Sequence, residues 1–434
     1  MSSLWMFPAL IAAILTGFPV AFAMLAVALV FGWFTFGAAL QYQIIQKLDD
    51  VASANVLAAV PLFIFMGAMF EQSGIAGKLF DVVRMWTRRI PGGIAVGTVL
   101  TCVVFAATSG VIGATETIVG LLAIPPMLRY QYNKGLICGT ICAGGSLGTI
   151  IPPSVPAVVI GPVANTSVGD ILIGMIIPGL MLAAAYIVYI VLRCIVRPQD
   201  GPSLPPSADD PPLVRKLILT LQVLVPPVVI IFAVLGSIMM GFATPTEAAA
   251  TGAVGTLLLA LVYGRLTPAI LWDALKRSVR VSTMILTIIL SGSVFAAVFA
   301  GSGGMTAVSD LIANSGLGPW QTLYLILFIG FLAGYMLEPL VIILIIVPVA
   351  APIMKAMGFD LVWFSVVFLV LLQTAYLTPP MAPAIFYLRG IAPPEIELKH
   401  MFTGIWPFIG LQVIVLIIVT AFPQTVLWLP NALR

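Results

Sequence analysis

The sequence predicts an all-α polytopic membrane protein, and three observations carry that prediction. Of the 434 residues, 61% are hydrophobic and only 8% charged, with a mean hydropathy of +1.17. Soluble domains hold about 25% charged residues. Uncharged runs are long: 26 residues separate Arg89 from Glu116, and 27 separate Asp310 from Glu338. Each exceeds the roughly 20 residues that cross a bilayer. Glycine and proline interrupt these runs near their middles, which is tolerated at membrane depth only inside protein or against a wet cavity. The formal charge of +3 is thinly spread, so no nucleic-acid partner is expected.

Taken in order, the chain opens on Leu4 to Gly37, too long for one span, with Gly17-Phe18-Pro19 in its middle. Two short helices hinged at Gly17 and one long bent helix both fit. The start lacks the basic segment and small-residue cleavage site of a signal peptide, and it reads as a retained membrane helix. Gln41 to Asp50 is polar on one face and reads as a helix lying along the interface. Val51 to Phe70 carries Pro61 at its middle and reads as part of a re-entrant hairpin, about 51–75. Lys78, Arg84, Arg88 and Arg89 form the densest basic loop, which the positive-inside rule places in the cytoplasm. A broken helix follows, about 92–128, with Gly110 and Gly113 marking the break, since glycine costs about 1 kcal/mol against alanine inside a helix.

Gly135 to Val163 is interrupted in turn at Pro152-Pro153, because two prolines cannot continue a helix. Residues 197–216 are the only soluble-looking linker, separating a first repeat (1–196) from a second (217–434). In the second, Thr267 to Arg280 reads as another interfacial helix. A hairpin is expected at about 281–304 around Ser291-Gly292-Ser293, and a broken helix at about 320–354.

The halves repeat one another. Pro152-Pro153-Ser154-Val155-Pro156 matches Pro379-Pro380-Met381-Ala382-Pro383 at an offset of 227, and Phe70, Ser73, Gly74 and Asp81 match Phe299, Ser302, Gly303 and Asp310 at 229. Gly17-Phe18 matches Gly241-Phe242 at 224, and Glu116 falls opposite Glu338 at 222. The loop after the first hairpin is basic while its counterpart, 304–319, has no Lys or Arg. Opposite bias in equivalent loops points to inverted repeats.

Inverted hairpins and broken helices bring four interruptions together near the midplane. Their freed carbonyls and hydroxyls suit a hard cation. Thr108, Ser109, Gly110, Gly113, Thr115 and Glu116 are the candidate sodium ligands in the first half; Ser291, Gly292, Ser293 and Glu338 are those in the second. Intramembrane carboxylates are functional by default. Helix N-termini facing the cavity favour an anionic group. Thr149, Pro152, Pro153, Ser154, Thr378, Pro379 and Pro380 are candidates for lining it.

Enzymatic chemistry is poorly served. Cys102, Cys138, Cys142 and Cys194 have no metal-type spacing. An intramembrane serine hydrolase built on Thr108-Ser109-Gly110 would need His400 as its base, and this only histidine lies in a polar loop beside Lys399.

Gly17 to Ala23, Val60 to Gly67, Gly144 to Ser154, Ala243 to Ala250 and Leu377 to Pro380, in that order, resemble the large membrane subunit of tripartite ATP-independent periplasmic (TRAP) transporters. The likeness runs essentially from end to end. It implies a sodium-driven elevator importer, multi-pass in the inner membrane, with Na+ as coupling ion and H+ as a lesser option. It also implies two partners, a small four-helix membrane subunit and a periplasmic binding protein that delivers an organic anion, often a carboxylate. The chain departs from the commoner family pattern at Val111 to Glu116, where Val111 removes a hydroxyl and Glu116 adds a charge. Glu338 stands where an aspartate is common. A free-standing ion-coupled anion symporter of the same design is the alternative.

Overall fold

The computed structural model describes residues 2–110, 113–203, 212–379 and 382–433, and among them there are helices and connecting loops but no strand. The first half runs α1 (Met6–Leu15), α2 (Val20–Phe36), α3 (Leu40–Ala52), α4 (Ala59–Gln72), α5 (Ile75–Thr87), α6 (Gly93–Ser109), α7 (Ala114–Arg129), α8 (Lys134–Ser146), α9 (Val155–Val163), α10 (Val168–Gly174) and α11 (Ile176–Val196). The second runs α12 (Leu213–Met239), α13 (Pro245–Val262), α14 (Pro268–Gly301), α15 (Gly304–Ser315), α16 (Pro319–Ala333), α17 (Pro339–Ala356), α18 (Leu361–Leu377), α19 (Pro383–Ile391), α20 (Leu398–Ala421) and α21 (Gln424–Leu433). Eight helical stretches among the described residues are long and apolar enough to cross a membrane. This is an all-α polytopic membrane fold.

Helix starts follow local chemistry. Asn133 Oδ1 accepts from the Leu136 N–H at 3.1 Å to open α8, and Asp360 Oδ1 accepts from Val362 and Trp363 at 2.8 and 3.0 Å to open α18. Thr244 and Glu247 cap α13 reciprocally. Each such cap contributes about 1 kcal/mol. Prolines sit at the first or second position of α9, α17 and α19, where the missing N–H would have had no partner in any case.

The repeat is visible element by element. The pair α6–α7 corresponds to α16–α17 and the pair α8–α9 to α18–α19, with starts offset by 225 to 228 residues. Within each of the first two pairs the helices are joined by a short link and pack on one another, so each is a hairpin. At 1.5 Å per residue, the 15 residues of α16 reach about 22 Å, short of a bilayer core of about 30 Å. The other two pairs are broken helices, interrupted between Ser146 and Val155 and between Leu377 and Pro383. Packing between the halves is reciprocal: α9 lies on α17, and α19 lies on α7. That exchange is what two repeats related by a two-fold axis produce.

The structure corrects where the hairpins fall. Pro61 does not break the first segment, because it lies in the first turn of α4, where a missing N–H costs no helical bond. The helix ends later, at Gly74, which is left-handed at φ 71° between α4 and α5. Its counterpart Gly303 does the same at φ 80°. In both turns a serine hydroxyl donates back to a phenylalanine carbonyl, Ser73 to Phe70 at 2.6 Å and Ser302 to Phe299 at 3.1 Å. The break expected at Ser291-Gly292-Ser293 is absent, since all three lie within the 34 continuous residues of α14. Gly292 is there for packing: a Cβ would stand 2.7 Å from Leu344 Cβ on α17. The segment expected to be broken at about 92–128 is the first hairpin, and that at about 320–354 is the second.

The stretch read as a polar linker also begins as ordered structure. Asp200 is buried and accepts from Arg193 Nε at 2.9 Å, while its carbonyl and that of Gly201 accept from the Asn133 and Gly92 N–H groups at 2.9 Å. Residues 198–203 therefore clasp the loops ahead of α6 and α8. Residues 204–211 lie outside the described residues.

Candidate functional site

Four interruptions meet at one cavity of about 130 Å³. Gly110 comes from the tip of α6–α7, Thr149 from the break of α8–α9, Glu338 from the tip of α16–α17, and Tyr376 from the end of α18. Thr149 and Tyr376 are 227 residues apart, as are Pro156 and Pro383, which also line it. The offset read from the two Pro-Pro motifs thus maps one wall of the cavity onto the other.

The first tip is tightly specified. Gly110 ends α6 in the left-handed region at φ 58°, and a Cβ there would stand 2.7 Å from the Pro153 carbonyl oxygen. Only glycine meets both demands without strain. Thr108 is buried and its hydroxyl donates to the Phe105 carbonyl at 2.9 Å. Thr115 is buried in the first turn of α7, beside Glu116. Glu116 has no exposed surface. Its Oε2 accepts from the Gly113 N–H at 2.6 Å, while its Oε1 has no partner among the described residues. The carboxyl presses on Gly145 of α8, where a Cβ would overlap it. Ser109 is the last residue of α6, and Val111 and Ile112 lie outside the described residues.

Glu338 differs from Glu116 in setting. It precedes α17 directly, is half-buried, and opens onto the cavity. Its backbone carbonyl accepts from the Val341 and Ile342 N–H groups at 2.9 and 3.2 Å, while its carboxyl makes no hydrogen bond or ion pair with the other described residues. The two glutamates occupy related places, both at the start of a hairpin's second arm. They are not equivalent positions, since Glu116 is the third residue of α7. The 222-residue match is therefore three residues out of the structural register.

The remaining candidates divide. Pro152 and Pro153 are buried, and their peptide bond is cis. Ser154 donates to the Thr149 carbonyl at 2.7 Å and closes the break. Thr378 donates to the Thr374 carbonyl at 2.6 Å, Pro379 is half-buried, and Pro380 lies outside the described residues. Ser291 is back-bonded to Thr287 at 2.8 Å. Gly292 and Ser293 face a separate cavity of about 300 Å³ that Lys47 and Asp50 of α3 also line. These three residues are not brought to the four interruptions.

Gln373 and the tyrosines Tyr376 and Tyr387 were missed. Gln373 is buried on α18 and its Nε2 donates to Thr149 Oγ1, joining the two broken helices. Its Oε1 has no partner among the described residues. The signal was present, a glutamine in a span otherwise almost free of amides. Thr149→Val should strip Gln373 of its remaining side-chain bond and cost about 1–3 kcal/mol. Thermal unfolding in detergent reads this, with Thr149→Ser expected to stay near the parent; equal stability of the valine and serine variants would refute the bridge.

A family model described as the DctM component of the tripartite ATP-independent periplasmic transporter matches residues 7–425. The chain belongs to this family. Among relatives of the DctM family, it is 31% identical to the C4-dicarboxylate TRAP transporter large permease protein of Pseudomonas aeruginosa, over 89% of this chain and 88% of that one. It is 30% identical to the sialic acid TRAP large permease of Vibrio cholerae, over 96% and 95%. Identity is also 30% with the ectoine TRAP large permease of Halomonas elongata, over 97% of each. These are named as permease subunits of transporters, and the hydrolase alternative is set aside. In fold, the chain is similar to the YdaH transporter of Alcanivorax borkumensis, with TM-score 0.67 at 12% identity over 93% of this chain and 96% of that one. It is likewise similar to MtrF of Neisseria gonorrhoeae, with TM-score 0.60 at 14% identity over 88% and 83%. The DctM-family chain thus shares the helical fold of these two membrane transporters.

Proposed function

We propose that this chain is the large permease subunit of a sodium-driven importer. It takes a small carboxylate-bearing solute from a periplasmic binding protein and carries it across the inner membrane by an elevator motion. The observation that supports this most is the single cavity walled by both hairpin tips and both helix breaks. Unsatisfied backbone at such interruptions can hold an ion, and helix starts can hold an anion. The first turns of α9, α17 and α19 reach the cavity through Pro156, Leu340 and Pro383, so their positive ends face a solute carboxylate.

The coupling ion is assigned to the α6–α7 tip, with Thr108, Ser109, Gly110, Gly113, Thr115 and Glu116 as its candidate ligands. The unpartnered Oε1 of Glu116 is an acceptor waiting for a cation. The relatives' solutes, a dicarboxylate, sialic acid and ectoine, support a small organic acid as the class. The tripartite family supports a small membrane subunit and a soluble binding protein as partners.

Uptake into proteoliposomes tests this reading. The chain is reconstituted with the co-encoded small subunit, and a panel of organic acids is offered with and without an inward sodium gradient and the binding protein. Uptake requiring all three is the expected result. Uptake without the soluble protein would make the chain a free-standing symporter, and uptake on a proton gradient alone would make Glu116 a proton carrier.

A further inference from the structure

Among the described residues, the central cavity is lined by one carboxylate and by no Lys, Arg or His. Every described residue that lines it comes from stretches without Lys, Arg or His, bounded by Arg89 and Arg129, Lys134 and Arg193, Arg280 and Lys355, and Lys355 and Arg389. Residues 111–112, in the first tip, and 380–381, in the second break, are apolar by sequence. Arg280 and Arg389 come nearest along the chain, yet neither lines the cavity, and Arg389 donates to the Ile396 carbonyl at 3.4 Å. A dianionic solute would therefore meet Glu338 with no side chain to neutralise either charge. Like charges brought together away from bulk water repel strongly.

Two aromatic rings share the cavity with Glu338. Tyr376 is buried, and Tyr387 is 46% exposed. Both lie within electrostatic range of Glu338 and of Glu116, and the Tyr387 ring packs on Gly113, where a Cβ would stand 2.8 Å from it. A carboxylate beside tyrosine rings is a composition that receives an organic cation, by ion pairing and by attraction to the ring quadrupole. The starts of α9, α17 and α19, which reach the cavity through Val155, Leu340 and Pro383, supply the opposite field.

We propose that the solute seated here is a zwitterion, its cationic group received by Glu338 with Tyr376 and Tyr387 and its carboxylate by the helix starts. This rests on the transporter reading above and narrows its solute class. It also divides labour between the two glutamates, with Glu338 serving the solute and Glu116 the coupling ion.

The test is ligand-induced thermal stabilisation of the purified full chain with its small subunit, at fixed sodium concentration. The probes are ectoine and glycine betaine, both zwitterions, and succinate, a dianion. Ectoine or glycine betaine should stabilise the parent while succinate does not. Glu338→Gln should weaken the zwitterion effect at least tenfold, and Glu338→Asp should retain most of it, which separates lost charge from lost folding. Stabilisation by succinate alone, or by neither zwitterion, overturns the inference. So does a Glu338→Gln variant that keeps its zwitterion response and shifts only its sodium dependence, which would make Glu338 a sodium ligand. Succinate uptake into proteoliposomes would sink the zwitterion and leave the transporter reading standing.

Discussion

Glu116→Gln should raise the half-saturating sodium concentration for uptake at least tenfold, a loss of about 1.4 kcal/mol of ion binding. The reasoning is local. One carboxyl oxygen is used, accepting from the Gly113 N–H at 2.6 Å, and the other has no partner in a fully buried place. The amide can still accept from Gly113 through its own oxygen, so α7 keeps its start. What it then presents where Oε1 stood is an NH2, a donor that repels a cation and cannot coordinate one. The measurement is initial uptake rate against sodium concentration, with protein melting recorded beside it. A variant that melts lower but keeps the parent's sodium curve would make Glu116 a helix cap and nothing more.

Gly139→Ala should destabilise the chain by roughly 2–3 kcal/mol, a large effect for one methyl group. Gly139 lies on α8 where it crosses α20, and a Cβ would overlap the Gly404 carbonyl and stand 2.6 Å from Phe408 Cε2. Alanine is the better helix former, so propensity alone predicts the opposite sign. Packing decides, because the obstacle is backbone and cannot swing aside as a side chain could. Thermal unfolding in detergent checks this. A melting point equal to or above the parent's would mean that the two helices can separate by the width of a methyl group at little cost.

The membrane class and the repeat were legible because each rests on composition or spacing. Of the four interruptions expected to meet, those within 92–128 and 320–354 do so, joined by the breaks of α8–α9 and α18–α19 rather than by 51–75 and 281–304. The position of the hairpins was not legible. Proline at position 61 looks like a break until the start of α4 at Ala59 is known, and that start depends on where the preceding 3-10 turn ends. Ser291-Gly292-Ser293 has the composition of a tip, yet Gly292 is a contact with Leu344 across to α17. Glycine at a break and glycine at a helix crossing are the same letter, and only the neighbour distinguishes them. The true tips were marked better than they were read. Gly110 and Gly113 were identified, but the short link between α6 and α7 was taken for an interruption in a straight rod rather than a reversal. Tyr376 could have been found by arithmetic, adding the Pro-Pro offset to Thr149.

The continuity of α14 sets it apart from its counterpart in the first repeat. There the chain passes from α3 through Ser53 and Ala54 and a short 3-10 turn before α4 begins, so the two parts meet at a joint. In the second repeat the same path is one rod of 34 residues, about 51 Å long. A rod of that length swung by ten degrees about one end carries the other about 9 Å, by the rise per residue alone. The first repeat has a joint where the second has an unbroken helix, and an unbroken rod converts angle into distance as a lever does. The two halves are alike in sequence and unlike in stiffness.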